Sequence, residues 1–175
     1  DAETLQEAWA AGDLDVASVP AEAPLNAENA EGTTITYAGG DYYFAIFSSR
    51  YGPLADAAVR RALAASLDRA EIGRRVAPHG AIALAAPLLA DHWALAGYDG
   101  WADAGGIEAA QAGLDAAGWT DEDGDGVRMH GWQRLEVAVL ANGENPMRPG
   151  VAALVAQSFR QAGADSEVHV VDWPT

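Results

Sequence analysis

Residues 135–171 read LEVAVLANGENPMRPGVAALVAQSFRQAGADSEVHVV, and this stretch decides the fold class. Leu135 to Leu140 is a short run of Leu and Val set against smaller or polar residues, which reads as a strand. Pro149 to Ala162 has the length of a helix, with proline at its start and Gly163 just past its end. Val168, Val170 and Val171 belong to a further strand. Between the first strand and the helix, Asn142-Gly143-Glu144-Asn145-Pro146-Met147-Arg148 is a polar loop. Helices interposed between non-adjacent strands indicate an α+β or α/β chain: a mixed sheet with flanking helices.

The rest of the chain reads outward from there. Ile107 to Ala117 is a helix closed by Gly118, and Thr120 to Gly131 is a polar turn region. Ala77 to Gly105 is irregular, rich in Pro, Gly and Trp. Pro53 opens a helical stretch whose apolar side is Leu54, Ala58, Leu63 and Leu67, with Asp56 acidic near its positive end. Asp68 reads as the N-cap of a short helix through Val76. Thr33 to Ala38 and Tyr42 to Ser48 carry β-branched and aromatic residues around Gly39-Gly40, the pattern of a hairpin. Ala21 to Gly32 is a polar linker, Leu14, Val16 and Val19 suggest a short strand, and Glu3 to Ala11 is a helix stopped at Gly12. No internal repeat is present.

Composition sets the classes to exclude. The chain has 175 residues, enough for one domain with a substantial core, and half of them are hydrophobic. The formal net charge is -16. Such a surface repels phosphate backbones and anionic lipid, so neither a nucleic-acid partner nor membrane insertion is expected. All 10 basic residues are arginine. There is no cysteine, which removes disulfides, thiol nucleophiles and Cys-ligated metals together. No apolar run is long enough to span a bilayer.

Candidate chemistry is sparse. Asp121-x-Asp123-x-Asp125-Gly126 has the first half of a calcium loop, but position twelve, where a bidentate Glu belongs, is Trp132. A tight turn with carboxylates bonded to backbone amides fits better, and Asp121, Asp123 and Asp125 stand only as an alternative metal site. His79, His92, His130 and His169 show no metal-ligand spacing. Ser48, Ser49, Ser66 and Ser158 lie in no nucleophile motif, so an enzyme is not expected and no cofactor is implied. An acidic enzyme domain is the most distant alternative. On the strand reading, Tyr42 and Phe44 share one face and Tyr43 takes the other, so one tyrosine would face out while the other packs inside. Arg60 and Arg61, early in their helix, should pair with a carboxylate such as Asp56 or Asp68.

Four stretches together carry a resemblance. They are Ala11-Gly12-Asp13-Leu14-Asp15-Val16; Tyr42-Tyr43-Phe44-Ala45-Ile46-Phe47-Ser48 with Gly52-Pro53-Leu54-Ala55-Asp56 and Val59-Arg60-Arg61-Ala62-Leu63 to Asp68-Arg69; Ala116-Ala117-Gly118-Trp119-Thr120-Asp121 to Asp125-Gly126-Val127-Arg128; and the helix to Ala162-Gly163 followed by Glu167-Val168-His169-Val170 and Asp172-Trp173. In this order and spacing they resemble the extracellular solute-binding proteins of family 5, the peptide and nickel substrate-binding proteins of ABC transporters. The resemblance implies one lobe of a type II periplasmic-binding-protein fold, with residues 1–32 ending the preceding lobe or hinge and residues 33–175 forming part of the second ligand-binding lobe.

It further implies a fragment of a monomeric, extracytoplasmic receptor whose signal sequence lies outside this stretch. Such a receptor encloses a small peptide or similar solute between two lobes and hands it to an ABC permease. A nickel chelate or an oligosaccharide is the alternative solute. By the same resemblance the aromatic strand and the loop after Leu140 face the cleft. Tyr42 and Tyr43 suit stacking with a polar tip, Asn142 suits a peptide group, and Arg148 suits a ligand carboxylate. The sequence departs from the family at Ser48, where an asparagine is usual. The family's residues for a peptide's amino terminus would follow Trp173.

Overall fold

The computed structural model describes residues 2–18, 33, 35, 42–77, 80–84, 86–88, 92–96 and 105–172. Five α-helices and four strands lie in these residues: α1 (Ala2–Ala10), α2 (Ala57–Ala65), α3 (Arg69–Val76), α4 (Ile107–Ala116), β1 (Met129–His130), β2 (Gln133–Arg134), β3 (Glu136–Asn142), α5 (Met147–Ala162) and β4 (Asp165–Val171). β3 and β4 pair in parallel, from Glu136 opposite Asp165 to Asn142 opposite Val171. A parallel pair needs a crossover, and α5 supplies it by packing on both strands. β1 and β2 form a separate antiparallel hairpin, with Met129 opposite Arg134. The described sheet structure is therefore two small sheets among helices rather than one mixed sheet.

The core follows from the apolar spacing. Val59, Ala62 and Leu63 on α2, Ala110 and Leu114 on α4, and Val155, Phe159 and Ala162 on α5 meet Trp119, Leu135 and Val137. Leu63, Leu114, Leu135 and Val59 are fully buried, and each such side chain contributes about 1.5–3 kcal/mol relative to exposure. α2 lies so close to α4 that a Cβ on Gly113 would stand 3.0 Å from the Ala62 Cβ. Along β3, Val137 and Ala141 are buried and Val139 is partly buried, while Glu136, Ala138 and Leu140 are exposed, the period of two that a one-sided sheet requires.

Local signals explain most boundaries. Asp68 caps α3 through the Glu71 amide, 2.8 Å away, and Gly163 ends α5 at φ 103. Arg128 ties the end of α5 to the rest. Its backbone amide donates to Gly163 O, its Nε to Ala162 O at 3.0 Å and its Nη1 to Trp119 O at 2.8 Å, and Nη1 also meets Asp115.

Four expectations are corrected. Residues 42–49 carry no ladder, and residues 33 and 35 are not in strand either; the Gly39-Gly40 turn lies outside the described residues. β-rich composition makes a strand only when a neighbouring strand accepts its amides, and none of the described strands pairs with this segment. Residues 13–18 likewise form no strand. The helix at Pro53 is not continuous: Pro53–Ala55 is a 3₁₀ turn, and Asp56 turns the chain and caps α2 through the Ala58 amide at 2.7 Å. Arg60 consequently donates to the carbonyls of Leu54 and Ala55, at 2.7 and 2.9 Å, and not to a carboxylate. Those carbonyls are left over by the turn, which makes them the nearer acceptors.

Candidate functional site

β3 ends at Asn142, where the sheet's C-terminal edge meets the start of α5. The Asn142 side chain lies in this corner and is 8% exposed. Its Oδ1 accepts from the Glu144 amide at 3.0 Å and from Arg148 Nη1 at 2.8 Å. Those two donors fix which way the amide points. Its Nδ2 is buried and has no hydrogen-bond partner.

Asn145 organises the other side of the corner. Pro146 holds the N-cap position of α5 and offers no side-chain acceptor. Asn145 Oδ1 takes the Met147 amide at 2.9 Å, and its backbone carbonyl takes the Arg148 amide at 3.1 Å. Its Nδ2 then donates to the Tyr43 hydroxyl oxygen at 2.9 Å. This bond spans 102 residues of sequence and joins the aromatic segment to the loop after β3. Phe47 anchors the same segment by stacking on Phe159 of α5, with ring centroids 6.0 Å apart.

The four residues singled out from sequence are placed as follows. Tyr43 touches the loop through Asn145, and Asn142 and Arg148 bond to each other. Arg148 is the second residue of α5 rather than a loop residue. Tyr42 lies against Phe44, centroids 5.7 Å apart. The expected split between an outward and an inward tyrosine is not found: both are 45% exposed, and the segment meets the core through Phe47 instead. Asn145 was missed. Its signal was available, since Asn two residues before a helical amide and next to Pro is an Asx turn that caps a helix.

Elsewhere the polar groups have structural work. Asp121 accepts from the Gly124 and Gly126 amides, and Asp125 from the Val127 amide and Arg134. The three carboxylates of Asp121, Asp123 and Asp125 come within 4.8 Å of one another, but this turn is built from amide donors, and Trp132 points fully into solvent. The Asp125 carboxyl is held below its ordinary range by the Val127 N–H and then by Arg134. Ser66 and Ser158 donate to Leu63 and Leu154 carbonyls in their own helices, so neither hydroxyl is directed at a base. His130 lies tilted against Trp119, ring centroids 5.5 Å apart, and His92 accepts from the Ala94 amide; His79 lies outside the described residues. Among the described residues no helix is long and apolar enough to cross a membrane.

Comparison with known proteins agrees with this architecture. The oligopeptide-binding protein AppA from Bacillus subtilis, solved with a nonapeptide, aligns over 68% of this chain at 25% identity and a TM-score of 0.60. NikZ from Campylobacter jejuni, solved with Ni(L-His), aligns over 68% at 25% identity and a TM-score of 0.60. NikA from Brucella suis, solved with Fe(III)-EDTA, aligns over 72% at 21% identity and a TM-score of 0.64. The chain covers 24%, 24% and 25% of those three proteins, about a quarter of each. No curated protein matches it. The fold is that of part of a type II periplasmic binding protein. The profile described as "Bacterial extracellular solute-binding proteins, family 5 Middle" matches residues 1–175, and the chain therefore belongs to the family 5 bacterial extracellular solute-binding proteins.

Proposed function

We propose that this chain is part of the substrate-binding component of an ABC importer and forms one wall of the cleft that encloses an oligopeptide or similar solute. Residues 1–32 would finish the preceding lobe and residues 33–175 would belong to the second one. The protein would work outside the cytoplasm as a monomer, pass its solute to a permease, and carry out no chemistry. The observation that carries this reading is the Asn145–Tyr43 hydrogen bond. It gathers an exposed aromatic segment and a polar loop at the C-terminal edge of parallel strands, where open α/β sheets bind ligands. Tyr42, Tyr43, Asn142 and Arg148 are the contacts proposed there. AppA, at 25% identity, was solved with a nonapeptide, which favours a peptide; NikZ, at the same identity, keeps a nickel chelate as the alternative.

Native mass spectrometry of the receptor purified without added solute tests the proposal. A co-purifying peptide mass that denaturation releases is the expected result. A protein that is solute-free, and that gains no mass from peptides, Ni(L-His) or oligosaccharides, would reject it.

A further inference from the structure

The sheet of β3 and β4 has two faces, and the described residues cover one. Val137, Val139 and Ala141 on β3 belong to the covered face, with Ser166 and Val168 beside them on β4; all are buried or partly buried. The period of two places Glu136, Ala138 and Leu140 on the other face. In register with them on β4 stand Asp165, Glu167 and His169, and all six are exposed. Leu140 is 70% exposed, and Val171, the last residue of β4, is 46% exposed. α5 packs on the covered side; α3 and α4 pack on α5, and α2 on α4, so they leave the other face open. Parallel sheets normally have helices on both faces.

Charge is graded along this open face. Its C-terminal end is apolar, with Leu140 and Val171, and its N-terminal end is acidic. Glu136 and Asp165 stand directly opposite each other, and Glu167 lies two residues further on. Like charges placed opposite one another destabilise a sheet. Among the described residues none of these three carboxylates forms an ion pair with an arginine. Arg134 feels the charge of Asp165, but its guanidinium holds Asp125.

We infer that this face seats a helix of the same receptor, contributed by chain outside residues 1–175. Its apolar side chains lie over Ala138, Leu140 and Val171, and a basic residue at one end meets Glu136, Asp165 and Glu167. The inference rests on reading the chain as part of a larger solute-binding protein, and adds an internal interface with the chemistry of its partner. The chain covers about a quarter of AppA, NikZ and NikA, so a receptor of their size holds chain enough to supply the helix. The dimensions suit one: strands of 7 residues run about 23 Å, which a helix of about 15 residues spans. Charge complementarity sets its direction, with the basic end over the start of the strands and the apolar stripe over their end.

The test uses the purified complete receptor, without permease, and maleimide labelling read by mass on the peptide that holds an introduced cysteine. Leu140→Cys and the nearly isosteric Ala138→Cys should label at least about tenfold more slowly than Trp132→Cys, and all three should label alike in urea. Trp132 is the reference because it is 99% exposed. Native labelling of Ala138→Cys as fast as Trp132→Cys overturns the inference, whether or not Leu140→Cys folds. Protection that disappears on dilution overturns it too, since the cover is then a second copy. Glu136→Gln should lower the melting temperature of the complete receptor; an unchanged or higher value means that no base faces these carboxylates, because removing one of several like charges otherwise relieves repulsion. Native mass spectrometry of bound solute reports separately on the solute-binding reading. A receptor that keeps its solute while this face labels freely fails the inference alone.

Discussion

Replacing Arg128 with methionine should cost the chain more stability than any ordinary surface change. The arginine side chain is only 11% exposed and its guanidinium reaches three places at once. Nε holds the Ala162 carbonyl at the end of α5, and Nη1 holds the Trp119 carbonyl after α4. Nη1 also pairs with Asp115, which is 55% exposed and therefore screened. Methionine preserves most of the apolar stem that lies over Gly163 but donates to neither carbonyl. Each partly buried carbonyl left without a donor costs about 1–3 kcal/mol, and the two are not additive, so a loss of about 3 kcal/mol is expected. Urea unfolding at neutral pH measures it as a lower midpoint at unchanged m-value. Asp115→Asn is the control and should cost under about 1 kcal/mol, the ordinary value of an exposed ion pair. The reasoning fails if Arg128→Met lies within about 0.5 kcal/mol of wild type, or if Asp115→Asn is equally damaging, for then the ion pair and not the carbonyls holds the corner.

Gly113→Ala gains about 1 kcal/mol of helix propensity but presses a methyl to 3.0 Å from Ala62, where overpacking costs about 1–3 kcal/mol; thermal unfolding should show a net loss. The Asp125 carboxyl is depressed by the Val127 amide and Arg134, so it favours the folded state above its unfolded pKa, and that contribution is lost as pH falls through the lower folded value. NMR titration should place the Asp125 midpoint below the ordinary aspartate range, and Arg134→Gln should move it upward. Asp121→Ala removes two amide acceptors and should cost about 1 kcal/mol, whereas millimolar calcium should leave the wild-type melting temperature where it is; a calcium-dependent rise of several degrees would make the turn a metal site.

The elements legible in the sequence were those with local causes. Gly163 and Gly118 mark helix ends, Asp68 marks a cap, and the Val-rich runs mark β3 and β4 to within two or three residues at one or both ends. The acidic turn was readable because its bonds join residues two to five apart. What sequence could not show depends on contacts distant along the chain. The segment at 42–48 reads as a strand, but nothing in its own residues says whether a partner strand exists. Arg128 meets partners 9, 13 and 34 residues away, and no spacing rule links them. At the site, Asn142 and Arg148 follow from residue type and from the family resemblance of their loop; that Arg148 donates to Asn142 Oδ1, with Nδ2 left over, is visible only once β3 and α5 meet.

Hydrogen–deuterium exchange on the complete receptor, with and without the solute that co-purifies with it, tests the central claim most directly. The cleft assignment predicts that solute slows exchange in peptides covering residues 42–48 and 143–148, with little change in those covering the acidic turn at 121–126. Protection confined to other regions, with both of these segments exchanging as they do in the solute-free protein, would contradict it.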